Sequence, residues 1–128
     1  MTDEHFMEMC LRQAHDAFDS EEVPVGAIIV SSEGKVIARA HNLTNKMVRA
    51  IAHAEILAIN MASDIVGNYR LIDCTLYVSK EPCIMCAGAI IEARIKRLVF
   101  GCFDEKRGAF GSVVDVNKLP LNHKVEVK

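Results

Sequence analysis

Apolar and polar positions follow two rhythms along this chain, one helical and one extended, and the changes between them mark the elements. Over about residues 3 to 19, Phe6, Met9, Cys10, Gln13, Ala14, Ala17 and Phe18 share one side at helical spacing, and only Gln13 is polar. This predicts an amphipathic first helix, with His5 and His15 as surface or half-buried members. Gly26 to Val30 is a continuous apolar run rich in β-branched residues, and Lys35 to Ala40 follows the turn Ser31-Ser32-Glu33-Gly34, so the pair predicts a β-hairpin. The polar stretch His41 to Arg49 reads as loop. Ile56, Leu57, Ile59 and Asn60 belong to a second helix with His53 and Glu55 in its first turn. After a loop containing Gly67-Asn68-Tyr69-Arg70 come the strand Thr75 to Val78, a helix from Cys83 to about Ala93 and the strand Arg97 to Gly101. Strand, helix, strand implies a parallel crossover. Lys124 to Val127 adds a short edge strand. The expected fold is α/β, a three-layer α/β/α sandwich around a mixed sheet of about five strands.

At 128 residues and 51% hydrophobic, the chain is long enough to bury a core of its own, so residues 1–128 read as a single domain. Lys+Arg 15 against Asp+Glu 17 leaves a net charge of −2, which excludes a global basic field for nucleic acid and makes any polynucleotide contact local. Five cysteines, an odd number, follow a polar N-terminus without an apolar leader segment, which implies a reduced, cytoplasmic protein. No apolar run reaches the roughly twenty residues needed to span a bilayer. No membrane role is expected.

The candidate chemistry lies in His53-Ala54-Glu55 and Pro82-Cys83-Ile84-Met85-Cys86. One imidazole and two thiolates suit Zn²⁺, and a site with three protein ligands keeps a position for water, as catalytic zinc sites do. Zinc ionises such a water near neutral pH, and Glu55, which is not a ligand, is free to move protons. Residues two apart on a helix point about 200° away from each other, so His53 and Glu55 work together best at a helix end. Pro82 suits the first turn of the following helix, where Cys83 and Cys86, three apart, share a face. The positive helix end there favours thiolates. Two other readings remain. Cys-x-x-Cys after a strand also describes a redox dithiol, and a structural zinc site could take Cys74 or Cys102 as a fourth ligand. Glu55 beside His53 argues against both. Met85, Ile90 and Ile91 read as packing residues.

The spacing H-x-E…P-C-x-x-C is that of the zinc nucleobase deaminases. The chain resembles the cytidine deaminase-like superfamily, and within it the bacterial tRNA adenosine deaminases. The resemblance runs from about Glu22 to Val127 and includes Glu22-Val23-Pro24-Val25-Gly26-Ala27, Asn42, His53-Ala54-Glu55-Ile56, Asn68-Tyr69-Arg70-Leu71, Glu81-Pro82-Cys83 and Met85-Cys86-Ala87-Gly88-Ala89. The segment Asp104 to Ser112 points to the tRNA branch. The resemblance implies one zinc held by His53, Cys83 and Cys86, with Glu55 as proton shuttle. It also implies substrate contacts from Asn42, the backbone of Ala54 and the side chain of Val25. A homodimer acting on the tRNA anticodon stem-loop, converting wobble adenosine to inosine, is the expected function. The alternative enzyme deaminates a free base or nucleoside such as guanine, cytosine or cytidine. Arg49-Ala50-Ile51 stands where family members commonly carry Asp-Pro-Thr, beside the expected pocket. The chain ends at Lys128 without the basic C-terminal helix of many tRNA-acting members, so phosphate contacts would fall to Lys46, Arg49, Arg70, Lys106 and Arg107.

Overall fold

A five-stranded mixed sheet with helices on both faces organises the chain, in a computed structural model that describes residues 2–128. Helix α1 (Asp3–Asp19) is capped by Thr2, whose hydroxyl accepts from the His5 amide at 3.2 Å, and opens with Asp3 and Glu4 at its positive end. It is followed by β1 (Gly26–Val30), β2 (Val36–His41), the short α2 (Thr44–Met47), α3 (Ala54–Val66), β3 (Thr75–Val78), α4 (Ile84–Glu92), β4 (Arg97–Phe100) and β5 (Glu126–Val127), with a 3₁₀ turn at Val116–Lys118. Strand order is β2-β1-β3-β4-β5. β1 pairs antiparallel with both β2 and β3, whereas β3, β4 and β5 run parallel, so the crossover through α4 is as expected.

Every residue of β1 is buried because both faces of that strand are covered. Ala27 and Ile29 join Leu76, Val78 and Leu98 in a core under α3 and α4. Ile28 and Val30 join Tyr77 and Val99 under Phe6 and Cys10 of α1. The period of two in the strands therefore feeds two cores, one on each side of the sheet.

Four local expectations change. The supposed loop 41–49 contains α2, ended by Val48 in the left-handed region. Phe18 is not on the buried face but 65% exposed, because steps of four residues overshoot the helical turn, so the stripe Phe6-Cys10-Ala14 has rotated off the sheet by Phe18 while Ala17 stays buried. The last strand is only Glu126–Val127. His53 and Cys83 are not inside the first turns of their helices but cap them from extended backbone, with Pro82 one residue further out. Among the described residues no helix is long and apolar enough to cross a membrane.

Candidate metal centre

The helix-capping positions of α3 and α4 meet at the carboxyl ends of β3 and β4, where parallel strands leave a crevice for ligands. Neither His53 nor Cys83 uses its side chain to cap its helix. They face each other: His53 Nδ1 lies 3.8 Å from Cys83 Sγ and 3.5 Å from Cys86 Sγ, and the three potential ligand atoms are all within 4.8 Å. Tetrahedral zinc, with bonds of about 2.3 Å to sulfur and about 2.05 Å to nitrogen, separates nitrogen from sulfur by about 3.6 Å. The gap therefore has the size of a zinc coordination sphere.

Protonation points the same way. Its hydrogen bond with Cys86, against the opposing pull of burial, lowers the Cys83 thiol to about 4, whereas the same bond and burial push Cys86 up. Two thiols in such contact do not both ionise without a counter-charge, and a divalent cation supplies it. Cys74 and Cys102 are elsewhere, their sulfurs turned to the carbonyls of Ile72 at 3.7 Å and Ser79 at 3.6 Å. A fourth cysteine ligand is thus not brought to the group.

Glu55, the second residue of α3, is 4% exposed and lines the same cleft as His53 and Cys83. Burial raises its carboxyl above the usual range, with its own backbone amide and His53 opposing. The cleft, about 200 Å³, is also lined by Asn42, Ala54 and Val25, so all three expected substrate contacts converge on the candidate ligands. Asn42, at 5% exposure, leaves its side-chain oxygen buried with no partner, while its Nδ2 donates to Thr44 Oγ1 at 3.4 Å. Whichever way the amide is turned, one of its polar atoms is left without a partner.

Of the five basic residues considered for phosphate contact, Arg107 lines the cleft. Arg70 instead lines a separate groove with Arg94, Lys96 and His123, near the opposite end of the parallel strands. Lys46, Arg49 and Lys106 are exposed outside both. Arg49-Ala50-Ile51 is exposed too and none of the three lines the cleft, although Thr44 and His53 on either side do.

Two buried acids had no role in the sequence reading. Glu22 accepts the amides of Asn45 at 3.0 Å and Lys46 at 2.9 Å, which anchors α2 beside Asn42. Glu81 accepts from three amides and a hydroxyl of residues 104–112. Burial alone would raise both carboxyls, but these donors outweigh it and hold both below the usual range. In sequence, each is one acid before an apolar or Pro-containing stretch, indistinguishable from a solvated one. Lys80 and Asp104, 3.3 Å apart, complete the rim.

Residues 1–102 match the cytidine and deoxycytidylate deaminase zinc-binding region. The tRNA-specific adenosine deaminases of Bacillus subtilis and Aquifex aeolicus are each 44% identical to this chain, over 98% of it and over 78% and 83% of their own lengths. A structure solved in a study of A-to-I editing by tRNA:A34 deaminases superposes with a TM-score of 0.94 at 45% identity, covering 98% of this chain and 91% of that one. The guanine deaminase of Bacillus subtilis superposes with a TM-score of 0.78 at 29% identity, covering 95% of this chain and 88% of its own. Site geometry and these likenesses agree, and the chain belongs to the cytidine and deoxycytidylate deaminase family.

Proposed function

We propose that this protein is a zinc-dependent hydrolase that converts the wobble adenosine of tRNA to inosine, with residues 1–128 forming one deaminase domain. The observation that carries the substrate assignment is the near-complete superposition, TM-score 0.94, on the structure from the tRNA:A34 deaminase study, against 0.78 for guanine deaminase. His53, Cys83 and Cys86 hold the metal. Zinc bound there supplies a Lewis acid that brings the pKa of water down to about 7.

The remaining steps belong to the chain's own groups. Adenine enters the cleft flipped out of the loop, and the unpaired amide atom of Asn42 hydrogen-bonds it or its ribose. Ala54 borders the base through its backbone and Val25 through its side chain. Glu55 takes a proton from the attacking water and delivers it to the ring nitrogen. The water oxygen bonds to C6 of the base. Glu55 then carries the second proton to the departing amino group, the C–N bond breaks, and ammonia leaves. Adenosine plus water becomes inosine plus ammonia, and no oxidant enters.

The protein works in this reading as a cytoplasmic homodimer. The outer side of α4 supports it: Ile84 and Gly88 are exposed there, and nothing lies within 4 Å of the position a Gly88 side chain would take, so a second backbone can approach closely. An ammonia-release screen decides between substrates. An anticodon stem-loop with wobble adenosine should react and free adenosine poorly, because loop nucleotides and phosphates supply the binding that positions the base. Ammonia from guanine or cytosine with an inert stem-loop would replace the tRNA assignment by the free-base one.

A further inference from the structure

Glu81 is 2% exposed, and no proton transfer in the reaction uses it. Its Oε1 accepts the Asp104 amide at 3.1 Å and the Ser112 hydroxyl, and its Oε2 accepts the amides of Phe110 at 3.0 Å and Ser112 at 3.1 Å. The neighbouring backbone continues the attachment. The Ala109 amide donates to the Pro82 carbonyl at 2.9 Å, and Cys83 bridges to Gly108. Gly108 lies so close to the Glu81 carboxylate that a Cβ there would overlap its carbon and both oxygens. Residues 104–112 contain no helix or strand of their own; besides these backbone bonds and the Asp104 side chain, which accepts the Lys106 and Arg107 amides, Glu81 is the side chain that ties the two ends of the segment together.

We infer that Glu81 is a positioning residue for substrate: its carboxylate is the template on which residues 104–112 fold, so that Asp104 and Arg107 form a wall of the cleft in fixed relation to Cys83. The chemistry suits that task. A carboxylate offers about four acceptor lone pairs and no donor, matching the four donors gathered around it. An amide in its place would turn an NH₂ group toward N–H groups. The wall carries Arg107, and its Asp104 pairs with Lys80, the other cation on the cleft, so a displaced segment costs substrate binding before it costs proton transfer. The activity readout rests on the proposed tRNA deamination; the other two readouts do not.

Glu81→Gln, zinc-loaded, is compared with the parent for zinc content, amide hydrogen exchange over residues 104–112, and kcat and KM on an anticodon stem-loop. Expected are unchanged zinc, exchange accelerated in that segment alone, and KM raised by about tenfold with kcat within about threefold, the pattern of lost uniform binding. Gly108→Ala should do the same, and it carries the test if Glu81→Gln does not fold. It should lower the melting temperature clearly in the parent but add almost nothing to Glu81→Ala, where the obstructing carboxylate is gone. Additive melting shifts, unchanged KM in a variant of an active parent, or zinc and kcat lost together would each overturn the inference. A parent inactive on the stem-loop would instead indict the substrate assignment, leaving exchange and the melting cycle to judge Glu81.

Discussion

Glu55 combines a raised carboxyl pKa with a place beside His53 and Cys83, which is what a group that must both take and give a proton requires. Glu55→Gln should keep fold and zinc, measured by elemental analysis, while turnover falls by about 10²–10⁴-fold. Turnover within about threefold of the parent would reject the role. Cys86→Ala should lose zinc as well. Asn42→Ala should lower turnover at full zinc content, since it removes the unpaired amide atom and none of the ligand set. The ligand triad was legible in the sequence because few residue types bind zinc and their spacing is constrained. Asn42 looked like any loop asparagine without the family resemblance; its unpaired oxygen exists only once β2 carries it into the cleft. Glu22 and Glu81 were illegible because their amide donors come from 23 or more positions away, and only the fold brings them together.

Helix α1 is tied to the sheet at both ends of its contact. Gly26 accommodates it: a Cβ there would sit 2.6 Å from the Ala14 amide nitrogen and would also strike the Cys10 carbonyl, so Gly26→Ala must push a helix backbone off β1. Denaturant titration should show a loss of about 2–4 kcal/mol. At its start, Asp3 accepts two hydrogen bonds from Arg97, at 2.9 and 2.6 Å, one from Lys128 at 2.7 Å and one from the Tyr77 hydroxyl at 2.6 Å. Arg97 first, then Lys128 and Tyr77, hold its carboxyl well below the ordinary value, while burial and then Asp3 push the Tyr77 phenol up to about 12. With Arg97 28% exposed, Asp3→Asn should cost only about 1 kcal/mol at neutral pH. A lowered carboxyl stabilises fully above its unfolded value, about 3.9, and loses that stabilisation as pH falls further. Melting curves of parent and Asp3→Asn should therefore stay apart above about pH 5 and draw together progressively as pH falls below about 4 toward the depressed folded value. The long elements were readable from periodicity. α2 was not, since four residues are too few to carry a rhythm, and Glu22, distant in sequence, accepts the amides of Asn45 and Lys46. Phe18 misled because steps of four residues overshoot the helical turn, so the stripe from Phe6 through Cys10 and Ala14 rotates out of the face that Ala17 still occupies.

At the scale of the whole molecule, two apolar cores grip the sheet from opposite faces, and the chemistry sits where the parallel strands end and two helices begin. That layout was foreseeable from the strand–helix–strand order; which loops wall the cleft was not, because residues 104–112 have no periodicity and are held by contacts distant in sequence, Glu81 and Pro82 among them. With a net charge of −2 there is little basic reserve around Arg107, so stem-loop turnover at subsaturating substrate should fall steeply between low and physiological salt, and a flat profile would argue against phosphate contacts. Sedimentation at micromolar concentration should give a dimer, and a monomer throughout that range would remove the pairing through α4. Hydrolytic deamination is tested most directly by incubating an anticodon stem-loop carrying wobble adenosine in water labelled with a heavy oxygen isotope, followed by digestion and mass analysis of the nucleosides. The prediction is inosine at that position bearing one labelled oxygen, formed by the zinc-loaded protein and absent after zinc is removed. Unchanged adenosine with fully zinc-loaded protein, or inosine formed equally well without zinc, would contradict it.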